Sequence, residues 1–572
     1  MNAILFKRFV FWGIVLGVFC AGIFFSLQYA SHKVFAQTAA NYPLQIIIPR
    51  AGGTTPDAGS PTISPDHFTL FAYPGITYRM RAAIVGGNYP YTFALSGQPT
   101  DMTVDAQGVI TWPNPQTSDA SITLTVTDAG GSVVQSTWGV TVDANKFRFL
   151  DCDVVGPGSG IIGDPWKNLN NLPFSIGGPT VGKILYFRDC SAAGNYNALA
   201  PGFRNTSDRK DFRADIVAQQ WLAYPDENPI VNIGFQQGVE SGVYIRFQSS
   251  PAALVGFEVI NGNNKQFETI TDTHYGVFWD NNMHGNTGWD GSNPAFIMTT
   301  SGAGLSFASY LILQNNVFAD YGHRLGGNAG SCVKIYSQFK LLIEDNICRD
   351  AVGAADIEGF ALKGGDMNRV TVRHNTIYNV PAHPIGGNNH TLFNSEILFN
   401  RVYNASENAI RINQDGLITT PIYIYRNTFI GRVELNHVDA NTGPLHFYNN
   451  VIVSSDPVGG CVPGSRIYCG APTSNPSRVI LTNNLEGTSA QGITTATGNL
   501  TASYSSYLGT HGFQLNASSL RGDFNSDGRV NLSDFNILKS VFKLTGSRTE
   551  DLSSDSIVDV RDVGILMSEW SP

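Results

Sequence analysis

Charge is scarce in this sequence. Only 14% of its 572 residues are Asp, Glu, Lys or Arg, and 36 basic against 45 acidic side chains leave a formal net charge of −9. Spread over that length and without a clustered basic face, such a balance excludes nucleic acid as the partner, because phosphate binding needs cations gathered on one surface. Cysteine is sparse as well, at seven residues, and no Cys-x-x-Cys or His-x-x-x-His set accompanies them, which argues against a zinc module. The Leu-x-x-Leu-x-Leu pattern of leucine-rich solenoids does not recur. What is abundant is Gly, at 60 residues, with Asn-rich turns and apolar positions that lean to Val, Ile, Phe and Tyr, residues suited to pleated, half-buried surfaces. The expectation is a mainly β chain of three or more units, since one core does not serve this length.

The N-terminus reads as an export signal. Lys7 and Arg8 precede an apolar run from Phe9 to Leu27, followed by Val34-Phe35-Ala36, a site for signal peptidase. The run is also near the ~20 residues that span a bilayer, so residues 1–36 are a cleaved signal or a retained anchor. Cys20 sits inside it without the small residues of a lipoprotein box ahead of it. Extracellular placement, secreted or attached to the surface, follows. The six remaining cysteines are an even set in a disulfide-permissive compartment, and sequence nearness suggests Cys461 with Cys469 and Cys332 with Cys348.

Residues 42–145 show short alternating runs, Tyr91-Thr-Phe-Ala-Leu95 and Ile122-Thr-Leu-Thr-Val126 among them, separated by Gly, Pro, Asp and Asn turns, the pattern of a β-sandwich. Gly108-Val-Ile-Thr-Trp112 and Thr127-Asp-Ala-Gly-Gly131 resemble the immunoglobulin- or cadherin-like modules of secreted bacterial proteins. A rigid stalk is the role expected of this one.

A repeat fills the middle. Aligned on one asparagine, segments end at Asn316, Asn346, Asn375, Asn400, Asn427, Asn450 and Asn484, at intervals of 30, 29, 25, 27, 23 and 34 residues. Three residues earlier stand Leu313, Ile343, Val372, Ile397, Ile424, Phe447 and Leu481; two later, for the first six, stand Phe318, Cys348, Ile377, Val402, Phe429 and Ile452. Both sets are expected to face one interior. The interval is that of a superhelical coil, so residues 146–510 are expected to form a right-handed parallel β-helix with an asparagine ladder at a left-handed bend. The region resembles the pectate-lyase-like superfamily: Trp221-Leu-Ala-Tyr-Pro-Asp-Glu-Asn-Pro-Ile-Val231 is similar to its Ala-Tyr-Pro-Gly-Glu-x-Pro-Val segment, with Asp226 for the glycine. That resemblance implies an acidic polysaccharide as substrate and leaves lyase, hydrolase and inactive adhesin open.

Lys334 and Lys363 each precede their ladder asparagine by 12 residues, which predicts equivalent, stacked positions on adjacent coils, with Arg411 extending the column. Neighbouring ammonium groups lower each other's pKa, and a neutral amine suits proton abstraction in β-elimination. Lyases of the superfamily neutralise the uronate carboxylate with arginine, lysine or calcium; Asp356, Glu358 and Asp366 are candidates for such a calcium or for pairing with the lysines. Arg373, His374, His383 and His390 are secondary candidates, and Trp279 and Trp289, assigned to a long insertion from Asn281 to Leu305, are candidate sugar-stacking rings. No stacked pair of carboxylates suggests a hydrolase.

After a linker at 511–520, residues 521–572 carry two loops of calcium-binding spacing. Asp523, Asn525, Asp527, Asn531 and Asp534 take positions 1, 3, 5, 9 and 12, with the Arg529 carbonyl at 7 and Gly528 at 6. Asp551, Ser553, Asp555, the Ile557 carbonyl, Asp559 and Asp562 repeat the set 28 residues on, with Ser556 in place of the glycine. The module resembles a type I dockerin, a small helical domain. The resemblance implies two bound Ca2+ ions and a cohesin domain as partner; the Leu532-Ser533 and Val560-Arg561 pairs differ between the halves, which argues against two equivalent binding orientations.

Overall fold

The structure is a computed structural model. It describes Leu538 and residues 40–495 except for stretches that include 199–208, 235–243, 301–308, 324–329, 354–356, 415–419, 438–443, 455–465 and 470–478. The export segment, the linker and, Leu538 apart, the dockerin-like loops lie outside the described residues.

From Phe147 onward the chain winds as a parallel β-helix with three ladders. The first runs from Phe147–Leu150 to Val479–Thr482, the second from Tyr196–Asn197 to Leu485–Gly487, the third from Arg209–Phe212 to Ile467–Tyr468. Each strand pairs in parallel with its equivalent one coil later, as in Leu311↔Leu341↔Val370 and Val333↔Phe360↔Ile385↔Ile410↔Val433↔Ile467. Coils stack about 4.8 Å apart, so like residues lie on like and fill the interior as columns. Leu313, Ile343, Val372, Ile397, Ile424 and Phe447 are fully buried, as are Phe318, Cys348, Ile377, Val402, Phe429 and Ile452. Cys332 and Cys348 are disulfide-bonded inside this core, Cys152 pairs with Cys190, and Cys469 is also disulfide-bonded, with a partner outside the described residues.

The ladder asparagines run along the corner between the first and second ladders, and the row starts one coil earlier than the repeat suggests, at Asn281. Each buried Nδ2 donates to the Oδ1 of the next rung, at 2.8 Å from Asn281 to Asn316, 2.9 Å from Asn316 to Asn346 and 3.0 Å from Asn346 to Asn375. The same Oδ1 accepts the backbone N–H of the preceding rung, 2.9 Å for Asn316 to Asn346. The left-handed backbone expected of these asparagines belongs instead to the residue before each: Asp280, Asn315, Asp345, His374, Phe399, Arg426, Asn449 and Asn483 all have φ between 50 and 61°. The reason is geometric. The residue that turns the chain points outward, which frees the next one to turn its amide into the corner. Asp226, in the glycine position of the Ala-Tyr-Pro segment, likewise takes φ 62°, and Glu227 beside it ties coils together through Arg188 at 2.6 Å.

The N-terminal module is built from small sheets. Tyr91–Ser96, Ala120–Asp128 and Val133–Val142 pair antiparallel, with Phe71–Ala72 parallel at the edge. Tyr78–Arg81, Val109–Trp112 and Thr103–Val104 form a second sheet, and Gln45–Ile48 pairs with Ala83–Val85. The module is no stalk. It lies along the outer face of the first ladder and shares a core with it, in which Ile46, Ile84 and Phe68 pack with Tyr275, Trp279, Tyr310 and Leu342. Polar contacts run the length of the seam: the Phe68 N–H donates to Gln220, Gln314 donates to the Ala82 carbonyl, Asp57 binds both Lys340 and Arg369, and the Tyr42 hydroxyl donates to the Pro421 carbonyl. A ladder face lined with Tyr, Trp, Val and Ile cannot be left in water at this size, and the module covers it.

At the far end of the seam Glu396 is buried beside Tyr425, whose hydroxyl donates to it at 3.3 Å. Burial pushes its carboxyl up to about 7, against hydrogen bonds from Asn41 and Tyr425 and the charge of Arg373. A carboxyl with a folded pKa above its unfolded value binds more protons in the native state. Stability is therefore full below the unfolded value of 4.5 and falls as the pH rises toward 7. Glu396→Gln should raise the melting temperature at pH 8, corresponding to up to about 3 kcal/mol, and leave it nearly unchanged at pH 4.5; equal effects at both pH values in calorimetry would contradict this reading.

Candidate functional site

With the first ladder covered, chemistry-bearing side chains gather on the outer face of the third. Strand alternation turns Val333, Ile335, Phe360, Leu362, Ile410 and Ile412 inward and their neighbours outward. Pair registers then sort the outward residues into columns. A central column reads Arg246, Glu268, Met298, Lys334, Ala361, Gly386, Arg411, Glu434, Tyr468. An edge column holds Ser331, Glu358 and His383, and in the following coils Asn408 and Arg432. On the other side Tyr336 pairs with Lys363, and Asn413 with Asn436.

The two lysines are therefore not stacked. Lys334 pairs with Ala361, and Lys363 with Tyr336. Successive coils are offset by 27 residues in the third ladder here but by 29 in the first, Phe339 pairing with Asn368, so the corner between those ladders is two residues longer in the second coil. Counting back from the asparagine crosses that corner and misplaces Lys363 by two. The lysines still share a face, on a diagonal with about 8 Å between their Cα atoms. Arg411 does join the column of Lys334, three coils along, with the side-chain-poor Ala361 and Gly386 between them. Gly386 has φ 105°, and a Cβ there would lie 1.8 Å from the Arg411 carbonyl, so this floor stays bare.

Lys334 is 2% exposed, and burial, with the charge of Lys363 added and that of Glu358 opposing, lowers its amine to about 8. Lys363 is paired with Glu358 at 2.9 Å, and the Ser331 hydroxyl lies 3.4 Å from the same carboxylate oxygen. Burial raises the Glu358 carboxyl despite Lys363. In the next coils Arg411 Nη1 lies 3.0 Å from His383 Nε2, and Arg411 Nε 3.4 Å from Glu434, which accepts from Asn436 at 2.6 Å. At the start of the column Glu268 is taken up by Arg246 and by Lys265. The middle of the column is thus a bare floor with one easily neutralised amine and fixed cations around it.

Other expected participants lie elsewhere. Arg373 and His374 belong to the seam: Arg373 binds Glu344 at 2.6 Å, the Tyr91 hydroxyl at 2.6 Å and the Ile84 carbonyl at 2.8 Å. His374 stacks on Phe399 at 4.9 Å beside Tyr89, and burial pushes its imidazole down to about 4. Trp279 is buried there too, under Arg79. The stretch read as an insertion holds regular strands, Asn282–Gly288 and Ala295–Thr299, because its own asparagine rung at 281 went unrecognised. Trp289 and Asp356 lie outside the described residues, Asp366 opens a first-ladder strand, and His390 pairs with Gln414. Glu358, already neutralised by an ammonium, is a poor calcium ligand. Ser331, Asn408, Glu434 and Asn436 escaped the sequence reading; the inward parity of the strands was the signal that could have found them.

These features define a parallel β-helix with a polar outer face. No family model matches the chain, and no curated protein does. Among solved structures it is similar to a rhamnogalacturonan lyase, at 14% identity over 59% of this chain and 87% of that one, with a TM-score of 0.33. It is also similar to a family 28 exopolygalacturonase of Yersinia enterocolitica, at 9% identity over 72% and 97% with a TM-score of 0.29, and to a putative alpha-galactosidase of Bacteroides fragilis, at 11% over 35% and 51% with a TM-score of 0.14. At such values none of their activities transfers to this chain.

The diagonal of lysines makes a charge-coupling prediction. Lys363→Met removes a positive neighbour and should raise the Lys334 midpoint above 8, whereas Glu358→Gln removes a negative one and should lower it. Titration of isotopically dimethylated lysines by NMR reads both shifts, and a midpoint unmoved in both variants would show that these groups do not feel each other.

Proposed function

We propose that the protein is an exported lyase that cleaves an acidic polysaccharide by β-elimination on the outer face of the third ladder. The observation that carries this reading is Lys334: a buried amine lowered to about 8, on a diagonal with Lys363 and at one end of a bare floor whose other end holds Arg411. Elimination needs the uronate carboxylate neutralised so that the proton on the adjacent carbon becomes acidic, and a base to take it. Lys363 serves the carboxylate of the reacting sugar, Arg411 binds that of a sugar further along the polymer, and the neutral amine of Lys334 takes the proton. The C–H electrons form the carbon–carbon double bond as the glycosidic C–O bond on the next carbon breaks, and the departing oxygen is protonated from solvent. A hydrolase needs two carboxylates about 5 to 9.5 Å apart. Glu358 and Glu434, the carboxylates on the third-ladder strands of this stretch among the described residues, are three coils or about 14 Å apart.

Turnover should rise as the pH passes through about 8 and level off above it, because the base must be neutral. Lys334→Ala should lower kcat at least 100-fold while leaving substrate affinity within a few-fold. The assay follows ultraviolet absorbance of unsaturated uronate ends on pectate, alginate and glycosaminoglycans. Reducing ends without that absorbance would mean hydrolysis, and binding without product would mean a glycan-binding surface protein.

The C-terminal loops support delivery to a cohesin-bearing scaffold or surface. Carboxylates gathered as in Asp523, Asp527 and Asp534 repel one another without a cation, so folding of this module should require calcium. A fragment from Arg521 to Pro572 should be largely unfolded in chelator by circular dichroism and become helical with calcium, with Asp523→Ala more damaging than Asp551→Ala, because Ser556 already weakens the second loop. Full helicity in chelator would refute a calcium requirement.

A further inference from the structure

Around His383 the hydrogen-bond donors outnumber what an imidazole accepts. Arg411 Nη1 approaches Nε2 at 3.0 Å, and the Asn408 side-chain nitrogen approaches Nδ1 at 3.3 Å. A guanidinium only donates, so Nε2 must present its lone pair; a neutral ring then carries its proton on Nδ1, and that nitrogen must donate. It cannot donate to an NH2 group. Asn408 is buried, and its Oδ1 is without a hydrogen-bond partner among the described residues. A half-turn of the amide resolves both conflicts, placing Oδ1 against Nδ1–H.

We infer that Asn408 and His383 are positioning residues that aim Arg411 at a substrate carboxylate, Asn408 fixing the Nδ1–H tautomer and His383 Nε2 accepting from the guanidinium. This rests on the lyase reading above for the nature of the ligand. The choice of an imidazole has a physical consequence. A carboxylate in its place would add a second acid to the Glu434 already beside the guanidinium, whereas a neutral acceptor holds the group in orientation and adds no opposing charge. Glu434 is 3.4 Å from Nε without hydrogen-bond geometry, so most of the N–H fork remains for a bidentate partner. The site so formed lies on the far side of the bare Ala361–Gly386 floor from Lys334 and would read an acidic sugar rather than react with it.

The test uses the full chain labelled with 15N-histidine, with His383→Gln assigning the resonance. The expected spectrum shows the His383 proton on Nδ1, and Asn408→Leu shifts it to Nε2 or to exchange between the two. A wild-type proton on Nε2 would overturn the relay. Calorimetry with a galacturonate hexamer should show about tenfold weaker binding for Asn408→Leu and His383→Leu, with kcat on polygalacturonate little changed and near-wild-type affinity in His383→Gln, whose amide can accept from Arg411 and donate to Asn408. Equal losses in the Gln and Leu variants would reduce His383 to a packing role. A wild type that shows the Nδ1 tautomer but binds no hexamer would instead refute the uronate reading, and with it the task given to Arg411.

Discussion

The coil is registered by a row of buried amides. Each rung from Asn281 to Asn450 gives one amide proton to the Oδ1 of the rung after it and another to a backbone carbonyl of the coil before it, so a coil that slipped by one residue would leave buried donors and acceptors unpaired, at roughly 1 to 3 kcal/mol for each group. Apolar stacking alone would not impose this, since Val, Ile, Leu and Phe interchange within a column and tolerate small shifts. The row is what lets the loops at the other corners vary in length, coils here differing from 23 to 34 residues, while the ladders stay aligned. That freedom produces the two-residue difference at the corner before the first ladder, and hence the diagonal rather than the stack of Lys334 and Lys363.

Registry also decides where function can reside. A solenoid with three outer faces offers three surfaces to a long polymer, and here one is taken. The N-terminal module seals the first ladder with a mixed apolar and ionic seam, in which Arg373 and Arg81 surround Glu344 and hold its carboxyl below the usual range. Buried charge of this kind is costly unless fully paired, so a module docked in another register would leave Glu344 or its arginines uncompensated. It also explains why charged residues that look catalytic in the sequence are structural: the seam consumes them.

How far the sequence was legible follows from period. The asparagine spacing and its flanking apolar positions announced coils, interior and ladder, because an interior column repeats chemistry at every turn. Tyr91–Leu95 and Ile122–Val126 were legible as strands through alternation, and they pair. Outward positions carry no such repetition: Lys334, Ala361, Gly386 and Arg411 occupy one column and share no chemistry, so only the pair register unites them. The docking of the module was not legible at all, because Trp279, Arg373 and His374 read equally well as exposed ligands until a partner surface is seen against them. Lys334 and Arg411 were named correctly as members of one column, and Lys363 was placed on the right face in the wrong register.

The same column shows how a β-helix tunes one amine without a conventional pocket. Toward its start the column neutralises Arg246 with Glu268; toward its end Glu434 lies against Arg411. Between them Met298, Ala361 and Gly386 supply no acid, and Glu358, whose charge opposes the shift, is already committed to Lys363. Burial of Lys334 and the charge of Lys363 therefore outweigh Glu358, and its pKa falls to about 8. Replacing Ala361 or Gly386 by an acid would undo this by supplying the missing counter-charge, although at Gly386 the close approach of the Arg411 carbonyl forbids any side chain first. Backbone packing and electrostatics thus impose the same bareness on the floor, and the cations that border it are spaced by the stacking distance itself.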